Sequence, residues 1–188
     1  MIFLGLGDIN KKYIRHNIGH IFLNQFAEEN ECQWIDTNDY QYFEFKDNIF
    51  IKLKQYLTTK NVILQLFKDF NFSKHDLIVV HDDIFLPLGK SRIKISKRKN
   101  PYKSIELIRQ YYTNFIELKI GIDSIENIFN EAKAKDKSTY MNNYINQTFT
   151  VEEYVQIMKT INKLIDNFNI FNTNLLIKIQ TLINSNQF

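Results

Sequence analysis

The spacing of apolar residues changes period several times along the chain. Leu77-Ile-Val-Val80 is an unbroken apolar run, followed by His81-Asp82-Asp83 and then by Pro87 and Gly89. An apolar run closed by acids and a turn predicts a buried central strand with polar groups at its carboxyl end. Met1 to Gly7 has the same form, a short apolar strand that ends in glycines. Ile18, Phe22 and Phe26 recur at every fourth position with Leu23 beside them, so a helix is predicted from Ile18 to Glu29. Gln33 to Ile35 is a candidate short strand. Tyr40 to Phe45 and Ile49 to Leu53 flank Lys46-Asp47-Asn48, as the arms of a hairpin flank its turn. From Gln55 to Phe70, Val62, Leu64, Leu66, Phe67 and Phe70 suit a second helix.

Gly89 to Ile95 alternates apolar and basic residues, the mark of a half-buried strand. A basic loop runs from Ser96 to Lys103. Ser104 is a candidate N-cap for a helix reaching Tyr112. Glu117 to Ile122 is another strand, residues 124–137 are helix-compatible, and Tyr144 to Thr150 is extended or irregular. Val151 opens a helical region reaching Ile183, with Val155, Met158, Ile161, Leu164, Ile165 and Phe168 as apolar positions. Strands and helices alternate without a repeat or linker. The predicted fold is α/β: a single domain over residues 1–188, with a mixed, mostly parallel twisted sheet flanked by helices.

Composition narrows the function classes. A net charge of +3 is too mild to imply nucleic acid without a local patch. The single cysteine, Cys32, excludes an intramolecular disulfide and a thiolate zinc cluster. No apolar run approaches the roughly 18 residues a membrane helix needs. The chain enters a strand at once, so no leader is expected, and the expected location is the cytoplasm.

Two constellations could carry chemistry. His16, near a helix start, could meet Asp82 at a neighbouring strand end. A carboxylate on one imidazole nitrogen fixes the tautomer and makes the other nitrogen a better base. On spacing alone, such a pair is either catalytic or structural. The second is basic: Lys90, Arg92, Lys94, Lys97, Arg98, Lys99 and Lys103, with no acid between them. That stretch suits phosphate contacts or, equally, a solvated loop. Asp82-Asp83 lacks further ligands at recognisable spacing, so no metal is expected. Gly5-Leu-Gly7 lacks the third glycine of a dinucleotide fingerprint, and Asp8 would oppose a phosphate.

Gly5-Leu-Gly7, Tyr13, Arg15-His16-Asn17-Ile18-Gly19, Val80-His81-Asp82-Asp83, Leu86-Pro87-Leu88-Gly89 and Lys119-Ile-Gly-Ile122 occur in that order. Together they resemble the bacterial-type peptidyl-tRNA hydrolase family, and Phe149-Thr-Val-Glu-Glu153 resembles that family's entry to its last helix. The resemblance implies a peptidyl-tRNA hydrolase-like domain that cleaves the ester joining a peptide to tRNA, with His16 as general base and Asp82 orienting it. It implies peptidyl-tRNA as partner, a monomer, and neither metal nor organic cofactor. Lys94 and Lys119 fall on the family's basic positions for the tRNA phosphate. Asp8, Tyr13, Tyr56, Thr58 and Lys103 fall on its substrate-binding positions.

This chain departs from the pattern at three amide positions, where Asp8, Thr58 and Lys103 replace asparagine. An amide donates a hydrogen bond that an ionised carboxylate cannot, and Asp8 would repel a developing oxyanion. Asp8 and Lys103 could compensate as an ion pair. The alternative function is a hydrolase-fold tRNA- or RNA-binding protein with weak or lost catalysis.

Overall fold

A computed structural model describes residues 1–55, 60–70, 77–96, 102–113, 115–123 and 137–168. Seven strands form one sheet: β1 (Ile2–Gly5), β2 (Ile35–Asp36), β3 (Tyr40–Phe45), β4 (Asn48–Leu53), β5 (Leu77–Pro87), β6 (Ser91–Ile95) and β7 (Ile116–Asp123). Their order is β2-β3-β4-β1-β5-β7-β6. The central strands β4, β1, β5 and β7 run parallel. β2, β3 and β6 are antiparallel to their neighbours. The mixed, mostly parallel sheet expected from the apolar runs is therefore present.

Its central strands are apolar because helices cover both faces. On one face Phe3, Ile78, Val80, Leu118 and Ile120 pack with α1 (Ile18–Glu29) and α5 (Val151–Asp166). Tyr144, on α4 (Lys137–Ile145), joins that cluster. On the other face Ile2, Leu4, Leu77 and Val79 pack with α2 (Lys60–Phe70) and α3 (Lys103–Tyr111). Phe3, Phe50 and Phe43 stack in sequence across β1, β4 and β3, with ring centroids 4.8 and 4.7 Å apart.

Two features set up the site. β1 ends at Gly5, opposite Val80, whereas β5 runs on to Pro87 along β7. The apolar run predicted an end near Val80. The strand continues through His81, Asp82 and Asp83 because Lys119, Ile120 and Gly121 of β7 supply pairing partners. Asp82 thus lies just past the carboxyl end of β1. The second feature is Gly19. A Cβ there would stand 2.4 Å from the Val80 carbonyl oxygen and 2.7 Å from the Leu6 nitrogen. Only glycine lets the start of α1 press this closely on the strand ends.

Other boundaries moved. The candidate strand at 33–35 is Ile35–Asp36. α2 begins at Lys60, and residues 56–59 lie outside the described residues. Ser104 is not a cap: α3 already begins at Lys103, and Tyr102 holds the cap position with extended backbone and no side-chain cap bond. Tyr144 is helical rather than extended, because its ring is buried in the core and its hydroxyl donates to the Ile122 carbonyl at 2.9 Å. The start at Val151 agrees, and Thr150 with Glu153 forms a capping box there. Of the helix-compatible stretch 124–137, residues 124–136 lie outside the described residues, as does the chain beyond 168. Among the described residues, no helix is long and apolar enough to cross a membrane.

Candidate active site

His16 is the middle residue of a 3-10 turn (Arg15–Asn17) that leads into α1. Both flanking side chains are buried and tied down. Arg15 donates to the Glu153 carboxylate at 2.7 Å, and its guanidinium lies 4.4 Å from the Tyr144 ring centroid and 5.0 Å from that of Phe149. Asn17 donates to the carbonyls of Asp8 (2.7 Å) and Lys11 (2.6 Å) and accepts from the Asp8 N–H at 2.7 Å. One neighbour of His16 thus anchors the turn to α5, and the other anchors the loop after β1.

The His16 Nδ1 lies 2.8 Å from Oδ1 of Asp82. Asp82 is 1% exposed, while the His16 side chain is 22% exposed. Burial, the largest influence on Asp82, opposes its charge. The charge of His16 and its hydrogen bond outweigh that, so the carboxyl stays below its ordinary range. For His16, too, burial is the largest influence and lowers its proton affinity. The Asp82 charge and hydrogen bond together outweigh burial and hold the ring above its ordinary value. An ionised carboxylate can only accept, so Nδ1 carries the neutral ring's proton and Nε2 carries the lone pair.

Tyr102 completes this group. Its hydroxyl donates to Oδ2 of Asp82 at 3.2 Å. Its ring lies near-parallel to that of His16, with centroids 6.1 Å apart. In the sequence Tyr102 is only a member of the basic stretch, next to Lys103. The available signal was an aromatic residue directly ahead of a helix, and that does not reveal where a ring points.

A second polar cluster lies along β5, β6 and β7. The ring of His81 places Nδ1 2.7 Å from the Asp82 carbonyl and Nε2 3.1 Å from Oε2 of Glu117. Glu117 is fully buried. Burial works against its charge, but hydrogen bonds with His81 and Ser96 and the charges of His81 and Lys94 bring it down to about 2. Lys119 donates to Asp83 at 2.8 Å and lies 3.8 Å from Glu117. Lys94 lies 3.7 Å from Glu117, with its side chain 38% exposed. Burial, foremost, lowers the proton affinity of Lys94, and Glu117 works in the opposite direction. The two lysines singled out in the sequence are thus brought together around one buried acid.

The remaining sequence candidates are spread around the pair. Asp8 is half-buried, and its Oδ1 accepts from the Asn10 N–H at 2.9 Å, closing a local turn. Tyr13 is 61% exposed and meets the Tyr154 ring edge-on at 6.3 Å. Lys103 is exposed at the start of α3. Among the described residues no ion pair joins Asp8 to Lys103, and the Asp8 carboxylate accepts within its own loop. Tyr56 and Thr58 lie outside the described residues. Among the described residues, no three His, Cys, Asp or Glu side chains converge as metal ligands would.

Residues 2–188 match the family model described as peptidyl-tRNA hydrolase. The chain belongs to the peptidyl-tRNA hydrolase family. It is 28% identical over 190 residues to the peptidyl-tRNA hydrolase of Pseudothermotoga lettingae, an alignment covering 98% of this chain and 96% of that protein. It is 30% identical over 182 residues to that of Rickettsia bellii, covering 90% and 92%. The crystal structure of peptidyl-tRNA hydrolase from Acinetobacter baumannii shares the fold, with a TM-score of 0.81 at 15% identity over 97% of this chain and 93% of that one. The family resemblance read from Arg15-His16-Asn17 and His81-Asp82-Asp83 is met, and with it the hydrolase class and the fold.

Proposed function

We propose that this protein hydrolyses the ester between peptide and tRNA in peptidyl-tRNA, with His16 as general base and Asp82 as the acid that orients it. The observation that carries this reading is the 2.8 Å contact between Nδ1 of His16 and the buried carboxylate of Asp82, in a chain of the peptidyl-tRNA hydrolase family. With Nδ1 held, Nε2 takes a proton from water as the water oxygen attacks the ester carbonyl carbon. The tetrahedral intermediate collapses, and the ribose 3′ oxygen leaves with the proton returned from the imidazolium. Free peptide acid and tRNA result.

The other assignments follow from position. Asp8, Tyr13 and Lys103, with Tyr56 and Thr58, contact the peptide and the 3′ end of the tRNA. Lys103 supplies a charged donor where a neutral amide is usual, and Asp8 keeps its charge turned into its own loop through Asn10. Lys94 and Lys119 meet a tRNA phosphate, which must compete there with Glu117 and Asp83. The protein acts as a monomer in the cytoplasm.

The test is ester hydrolysis on a purified peptidyl-tRNA, comparing wild type with His16→Ala. Turnover by wild type and near-complete loss in the variant is the expected result. A wild type that binds tRNA without releasing peptide would assign the chain to RNA binding alone.

A further inference from the structure

The carboxylate of Asp82 is occupied on both oxygens. Oδ1 faces His16 at 2.8 Å, and Oδ2 accepts from the Tyr102 hydroxyl at 3.2 Å. The hydroxyl is the donor in that bond, because an ionised carboxylate can only accept. Tyr102 is held in turn. It precedes α3, whose Ile105 and Ile108 are at most 1% exposed in the core of the α2–α3 face. Its ring lies alongside the imidazole of His16 and meets the edge of the His81 ring at 5.6 Å. Tyr102 therefore touches Asp82 and both neighbouring histidines from a fixed base.

We propose that Tyr102 is a positioning residue for the reaction: its hydroxyl locks the rotation of Asp82 and its ring sets the plane of His16. A carboxylate held at one oxygen can swing about its Cβ–Cγ bond, whereas one held at both cannot. The hydroxyl also draws off part of the Asp82 charge. Without that donor, the carboxylate would attract the proton of His16 more strongly. The hydroxyl thus holds Asp82 firmly while tempering its pull on the base. This role rests on the His16–Asp82 reading of the site, but it can be measured in the free protein.

The test is an NMR titration of His16 in wild type, in Tyr102→Phe, and in protein carrying 3-fluorotyrosine at 102. Phe removes the donor, so His16 should titrate about half a pH unit higher. The fluorinated phenol is a stronger donor with almost unchanged shape, so His16 should titrate lower. Opposite displacements would separate a hydrogen-bond effect from a loss of packing, and the fluorinated protein covers the case in which the Phe variant fails to fold. If wild type hydrolyses peptidyl-tRNA, kcat for Tyr102→Phe should fall about five-fold with KM unchanged, in line with the modest value of one hydrogen bond to a charged group. Identical His16 titrations in all three proteins would overturn the assignment. A protein that shows the displacements but no hydrolysis would instead overturn the catalytic reading and leave the positioning contact standing.

Discussion

Adjacent residues of β5 take part in two histidine–acid pairs of opposite character. Asp82 meets His16 at 2.8 Å, and His81 meets Glu117 at 3.1 Å. The His16 side chain is 22% exposed, whereas the His81 side chain is 1% exposed and both its ring nitrogens face acceptors. In one pair the ring is partly open to solvent. The other is closed, with Lys94 and Lys119 gathered around the same acid. Distance alone does not separate a reactive pair from a structural one. Exposure of the ring does.

The largest expected effect breaks the open pair. His16→Ala should lower peptidyl-tRNA hydrolysis about 10³-fold in protein that still folds, since a positioned general base contributes on the order of 10²–10⁴. Equal rates in variant and wild type would remove His16 from the reaction.

Next is Asp82→Asn, which should cost about 10²-fold in kcat and move the pH profile. The base works only when neutral, so activity falls as pH drops through the His16 value, which Asp82 holds above the ordinary one. Without that charge the acid limb should shift to lower pH although the plateau is lower. An unmoved limb would mean that Asp82 does not govern His16.

The closed pair should answer in stability. Glu117→Ala leaves buried cationic and donor groups without their acid, at a cost of about 3–5 kcal/mol. Glu117→Gln tests the pH sign. The folded value of Glu117 is about 2 against an ordinary 4.5, so its contribution is complete above 4.5 and lost as pH falls toward 2. The variant should show a flatter loss of stability across that window, read by chemical unfolding at several pH values. A variant as acid-sensitive as wild type would show that Glu117 is not the group responsible.

The smallest effect belongs to Lys94→Ala. It should raise KM a few-fold and reduce the salt dependence of tRNA binding by about one counterion. An unchanged salt slope would place the phosphate elsewhere.

The fold was legible wherever burial leaves a simple period. Ile18, Phe22 and Phe26 gave α1 its limits, and the apolar runs gave β1 and the start of β5. The end of β5 was not legible. His81 and Asp83 look like the close of a strand, yet acids and bases on β7 supply partners that let them stay buried within it. For the same reason Glu117 stood only as the first residue of an expected strand, and Lys119 was singled out through the family resemblance alone, although both side chains are internal. His16 and Asp82 were visible through the family resemblance, and spacing alone left their role open. Tyr102 was not visible, because its contact depends on how α3 docks against the end of a sheet far from it in sequence.

The turn that carries His16 also has a history within synthesis. Its clamp, the bond from Arg15 to Glu153, spans 138 residues, and the neighbouring Arg15 N–H is satisfied by the Gln147 carbonyl at 3.0 Å. A chain growing from its amino end makes the histidine early and the residues that fix its turn late. Until Glu153 has been added, the turn lacks its anchor to α5, however complete β1, α1 and β5 already are. The geometry at His16 is therefore among the last parts of the molecule to be assembled.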